Sequence, residues 1–376
     1  MTVSRLGEVL ALGQSIWLDF ISRSLLRDGD LERMIEEDGL RGMTSNPSIF
    51  EKAVGAGNEY DDEIADLAGR GLSALDVFDR LAIADVREAC DAFRQTYDAA
   101  SGKDGMVSIE VRPQIANDTQ GSLDEARRLW SEVGRPNVLV KMPGTEAGLP
   151  AIRQALCEGV NINITLLFSV RQYVQVHETY MAALEQRLDE GRPVGGIASV
   201  ASFFVSRIDT LVDSWLEERA RSAPETEREH YLSLCGKLGI ANSRLAYERF
   251  RRMLDTDRWR RLESAGAAPQ RVLWASTSTK NPRYPDLLYV ENLIGPETVD
   301  TLPDATFTAF KDHGRVSRTV DAGYDEARAH VLALADAGID VDAATRQLLD
   351  DGVDAFCKSH TGVVRLVEQR MKELVS

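Results

Sequence analysis

VLVKMPGTEAG, residues 138–148, runs three apolar residues straight into a lysine. Val138, Leu139 and Val140 read as a strand, and Thr145–Glu146 just beyond reads as the start of a helix. Lys141 at the end of that strand sets two readings against each other. Its stem can lie along apolar surface while the ammonium reaches water. Otherwise the fold needs an amine in a dry place, where burying a charge is expensive.

Working outward, similar short runs recur on both sides. They are IWLDF (16–20), GMTSN (42–46), VSIEV (107–111), NVLVKM (137–142), NINIT (161–165), GIASVASFF (196–204), RVLWAST (271–277) and LLYVENLI (287–294). Amphipathic stretches separate most of them. Leu75, Phe78, Ala82, Val86, Ala89 and Phe93, for example, recur at helical spacing. Eight strands alternating with helices predict an α/β protein with a (β/α)8 TIM barrel rather than an open doubly wound sheet. No GxGxxG or P-loop follows any of these strands, which argues against a nucleotide-binding fold.

Two segments exceed what a barrel needs. Residues 206–262 are charged and helical in pattern, and predict a helical elaboration between the sixth and seventh strands. Residues 317–376 predict C-terminal helices packed across the barrel, within a single domain spanning 1–376.

The chain has 376 residues, 43% hydrophobic and 28% charged, with a net charge of −16. That balance disfavours nucleic acid and anionic membranes as partners, and obliges any phosphorylated ligand to be met by local cations. Cys90, Cys157, Cys235 and Cys357 form no CxxC pair, and the five histidines form no HExxH spacing. We therefore expect no metal, no disulfide framework, and reduced thiols in a cytoplasm. The first residues resemble neither a signal nor a transit peptide, and no apolar run is long enough for a membrane helix.

In a barrel, chemistry sits at the C-terminal ends of the strands. Polar residues that break the apolar pattern there are Asp19, Asn46, Glu110, Lys141, Thr165, Ser202 and Lys280, with Asn161, Asn163 and Thr165 on one face of NINIT. Each has an ordinary explanation. A strand-end Asp or Asn usually caps a helix or forms a turn. Alternating polar residues usually mark a solvated face. Arg207 could pair with any of many acids. Their coincidence at one mouth is what matters: an amine, two carboxylates, amides and a hydroxyl. That set suits Schiff-base chemistry. A free lysine amine attacks a ketone, carboxylates move the protons, and amides hold sugar hydroxyls without adding charge.

Four of these stretches resemble the transaldolase family in the right order. GMTSNPSIF (42–50) resembles its first signature, VLVKMPGTEAG the segment around its Schiff-base lysine, GVNINITLLFS (159–169) its fifth-strand motif, and ASFFVSRID (201–209) its phosphate-binding stretch. WASTSTKNP (274–282) followed by YVENLIGPETVDTLP (289–303) is similar to the longer, actinobacterial-type branch. The resemblance spans roughly residues 10 to 310.

It implies a class I aldolase-like barrel that moves a dihydroxyacetone unit between sugar phosphates, with no cofactor or metal, as a monomer or homodimer. It further implies Lys141 as the imine lysine and Asp19 as the acid/base at the C4 hydroxyl. Glu110 and Thr165 would hold the catalytic water, and Asn46 and Asn163 the dihydroxyacetone hydroxyls. Ser202 and Arg207 match the phosphate-site serine and arginine, and Ser276 a serine near a second phosphate-site arginine. Lys280 stands where the best-known branch has that arginine in a shorter turn, keeping the charge but losing bidentate geometry. Fructose 6-phosphate aldolases resemble a glutamine in place of Glu110 and a tyrosine in place of Phe204, so both positions favour transfer. The rival readings are that aldolase, a non-catalytic sugar-phosphate binder, and a pyridoxal phosphate enzyme, which also uses an imine lysine.

Overall fold

The computed structural model describes residues 4–375. Eight parallel strands close into a barrel in chain order: β1 (Gln14–Asp19), β2 (Gly42–Thr44), β3 (Met106–Glu110), β4 (Val138–Pro143), β5 (Ile162–Leu167), β6 (Ser199–Phe204), β7 (Arg271–Ala275) and β8 (Thr298–Leu302). The pleat sends alternate residues to opposite faces. Ile16, Leu18, Val107, Ile109, Val138, Val140, Ile162 and Ile164 join the core between strands and helices. Trp17, Met106, Leu139, Val200, Leu273 and Val299 form a second apolar cluster that fills the barrel interior. Gly42 is required there, because a Cβ would lie 2.7 Å from the Trp17 indole. The N-terminal end is plugged by a buried pair: Arg271 meets Asp104 at 2.9 Å and donates to the Ser15 hydroxyl.

Seven strands lie where the sequence puts them, and the eighth does not. LLYVENLI instead contains a short helix, Leu288–Asn292. Its Leu287, Tyr289, Val290, Leu293 and Ile294 are all buried, and burial on every side reads as a strand. The true β8 is TVDTL. Its polar residues are buried against partners on neighbouring elements: Gln14 donates to Thr298, and Thr277 donates to one oxygen of Asp300. The polar face of NINIT is likewise buried rather than solvated. Asn161 sits just before β5, bonded to Pro136 and to the Ala198 amide.

The first helices to frame the mouth are α1 (Pro47–Gly55) and α2 (Ala74–Ala92), capped by the side chains of Asn46 and Ser73. Residues 206–262 are helical: α3 (Ser206–Ser222) leads three further helices, Glu225–Leu234, Leu238–Leu254 and Asp257–Ser264. After a helix at Tyr324–Asp336 comes the long α4 (Val341–Val375). This last helix crosses the C-terminal mouth. Its Gly352 lies against Leu166, its Ser359 hydroxyl meets that of Ser48, and its His360 ring meets Gln114. No helix among the described residues is long and apolar enough to cross a membrane.

Candidate active site

Register puts the chemistry side by side. Glu110 is the β3 partner of Lys141, and Lys141 is the β4 partner of Asn163. All three point inward, as do Asp19, Thr165, Ser202 and Phe204 on the parity of their strands. Lys141 does not reach for water. Its side chain is 7% exposed and that of Glu110 is 4%, with Nζ 3.7 Å from the Glu110 carboxylate and 3.4 Å from the Ser45 carbonyl. Over it stands the ring of Phe356 from α4, its centroid 5.6 Å from Nζ.

Burial pushes the Glu110 carboxyl up to about 7, with Lys141 pulling the other way. Among the described residues neither of its oxygens has a hydrogen-bond partner, and nor does the Thr165 hydroxyl. The chain kinks immediately after Thr165. Leu166 adopts the left-handed φ of 61°, at the point where the β5–β6 register slips. Such bulges re-aim side chains at sites. Asp19 is also raised by burial, against the pull of Lys141, a Thr44 hydrogen bond, Arg207 and Lys280. Thr44 donates to Asp19 at 2.7 Å and pairs with Thr301.

Below the mouth, Asn163 is held from both sides. Its amide nitrogen donates to Ser108, and its oxygen accepts from Ser202 at 2.6 Å. The sequence groups Ser202 with Arg207; its hydroxyl here donates to Asn163. The serines beside Arg207 are Ser206 and Ser276, whose hydroxyls lie 3.1 Å apart. Ser276 holds a left-handed φ of 57°, and its carbonyl accepts from the Ser206 amide. That link sets the start of α3 against the end of β7, an arrangement suited to a phosphate group.

The Arg207 guanidinium lies 5.1 Å over the Phe204 ring. Lys280 donates to Ser278, and its ammonium is pulled down by burial, then by Arg207 and Lys52. Asn46 caps α1 by accepting from the Ile49 amide. Its ordinary role as a cap is therefore real, while its amide nitrogen makes no hydrogen bond among the described residues.

Sequence reasoning passed over several of these groups. Ser108 was open to discovery, since VSIEV puts it on the same face as Glu110. Thr44 shares a strand end with Asn46. Lys52 looks like any exposed helical lysine, and nothing local to FCKSH marks Phe356, because only the path of α4 brings it to Lys141.

The family model described as Transaldolase/Fructose-6-phosphate aldolase matches residues 16–367. The chain belongs to that family. Transaldolase/fructose-6-phosphate aldolase relatives resemble it over nearly their whole length. A protein named Transaldolase 2 from Nostoc sp. (strain PCC 7120) is 44% identical, with 100% of this chain and 99% of that protein covered. Proteins named Transaldolase from Frankia alni and Thermobifida fusca are each 44% identical, covering 97% and 98% of both chains respectively. The family match thus extends past residue 310 into the helix that carries Phe356.

Proposed function

We propose that the protein is a transaldolase. It moves a dihydroxyacetone unit reversibly from sedoheptulose 7-phosphate to glyceraldehyde 3-phosphate, giving erythrose 4-phosphate and fructose 6-phosphate. The observation that carries this reading is the buried Lys141 amine, 3.7 Å from Glu110 at the closed end of a barrel mouth. The transaldolase names of its full-length relatives support it.

Lys141 attacks the ketose C2, and the carbinolamine loses water to give a protonated imine. Glu110, poised near neutrality, exchanges the protons of that step with Thr165 positioning the water. Asp19 takes the C4 hydroxyl proton. The C3–C4 electrons pass to the imine, the aldose leaves, and an enamine remains on Lys141. It attacks the acceptor aldehyde, and the steps reverse. Asn46 and Asn163 hold hydroxyls of the three-carbon unit, Asn163 being fixed by Ser108 and Ser202. Arg207, Lys280, Lys52 and the Ser206–Ser276 pair receive phosphate. Glu110 and Phe204 distinguish this set from the aldolase pattern. The reaction needs no metal or cofactor, and we place it in the cytoplasm, run by a monomer or homodimer.

The test is borohydride trapping with fructose 6-phosphate, followed by peptide mapping. A three-carbon adduct on Lys141, discharged by erythrose 4-phosphate before reduction and absent from Lys141→Ala, is expected. Sugar binding without any adduct would leave a binding protein. Steady release of dihydroxyacetone without an acceptor would make it an aldolase.

A further inference from the structure

The same enamine can meet two fates. It can attack an aldehyde, or take a proton at C3 and lose dihydroxyacetone as water hydrolyses the imine. A transferase must suppress the second, which calls for cover over Nζ. That cover comes from α4. Phe356 is 5% exposed and packs with the barrel-interior cluster, its ring facing the Lys141 nitrogen.

Its position is fixed on both flanks. One helical turn before it, Gly352 lets α4 down onto the bulge after Thr165, where a Cβ would come within 3.0 Å of Leu166. One turn after it, the Ser359 hydroxyl meets Ser48 at 2.8 Å, and His360 packs edge-on against Phe78 at 5.5 Å while meeting Gln114. The helix is thus pinned to β5 on one side and to α1 and α2 on the other. An aromatic face above a nitrogen also suits the protonated imine, which is a desolvated cation.

We infer that Phe356 is a specificity-determining residue: it shuts water out above the Lys141 enamine and so keeps the reaction a transfer rather than an aldol cleavage. This inference rests on the transaldolase reading above. Loss of the ring lets water protonate C3 and hydrolyse the imine, with no co-reactant beyond water.

The experiment measures the ratio of free dihydroxyacetone released to dihydroxyacetone transferred, for the wild type and for Phe356→Leu, Phe356→Val and Phe356→Ala. Fructose 6-phosphate is the donor, with and without erythrose 4-phosphate, transfer being read as sedoheptulose 7-phosphate formed, and borohydride trapping runs in parallel. The ratio should climb as the side chain shortens, reaching roughly tenfold or more in the smallest folded variant, while Lys141 is still trapped. Phe356→Tyr, which keeps the ring, should stay close to the wild type. A flat ratio across the folded variants, with trapping intact, overturns the inference and leaves the transaldolase reading standing. A wild type that never forms the adduct defeats the reading itself. The graded series decides the matter even if the alanine variant does not fold.

Discussion

Glu110 and Asp300 are both buried carboxyls, and they separate a working proton from a structural one. Glu110 is pushed up to about 7 beside an amine it can exchange protons with. Activity should show a limb near that pH. Glu110→Gln should remove the limb and cost on the order of 10²–10⁴-fold in rate. A loss below tenfold with the limb intact would place the proton elsewhere. Asp300 is pushed up to about 8 by burial, opposed only by its Thr277 hydrogen bond. Its folded value lies above its unfolded one, so the stability it adds is complete below about 3.8 and is lost as pH rises through about 8. Thermal unfolding followed from pH 4 to pH 8 should therefore fall less steeply in Asp300→Asn. An unchanged slope would show that Asp300 titrates alike in the folded and the unfolded chain.

On the proposed reading, strand ends and helix starts carry the substrate contacts, so the element scale decides what each one recognises. Arg207 opens α3 with Ser206 tied to Ser276 beneath it. Arg207→Ala should raise KM for phosphorylated ketoses while changing kcat little, and leave unphosphorylated dihydroxyacetone donors nearly untouched. Equal losses on both donor types would remove the phosphate role. The same scale explains what could be read in advance. Strands such as VLVKM alternate one apolar core face with one functional face, and the helices between them carry a regular stripe, so the barrel was legible. β8 was not, because its code is polar: Thr298 and Asp300 are acceptable inside only through partners on β1 and on the β7 exit. The partner of Ser202 was hidden for a related reason. Position after a strand says which way a hydroxyl points, not whether Asn163 or Arg207 claims it. Phe356 lay beyond reach altogether, since helical periodicity marks a buried face without saying what the face covers.

Across the whole molecule the barrel divides its labour between two ends. The C-terminal mouth holds marginally paired groups, with Glu110 and Thr165 oxygens left without hydrogen bonds among the described residues. The N-terminal end holds Arg271, satisfied by Asp104 and Ser15. Removing one partner of such a buried pair strands the other charge. Arg271→Ala should cost about 3–5 kcal/mol of stability, read by denaturant unfolding. Activity per folded molecule should stay within about twofold, since stability and chemistry occupy opposite faces. A large fall in kcat at full folding would mean the two ends are coupled. The crossing of α4 has a consequence in time as well as space. All eight strands leave the ribosome before Phe356 does, so on the proposed reading the imine lysine is made well before its roof. On that reading, a chain clipped before α4 that still closed its barrel would form the enamine without being able to keep it, draining phosphorylated ketoses into free triose.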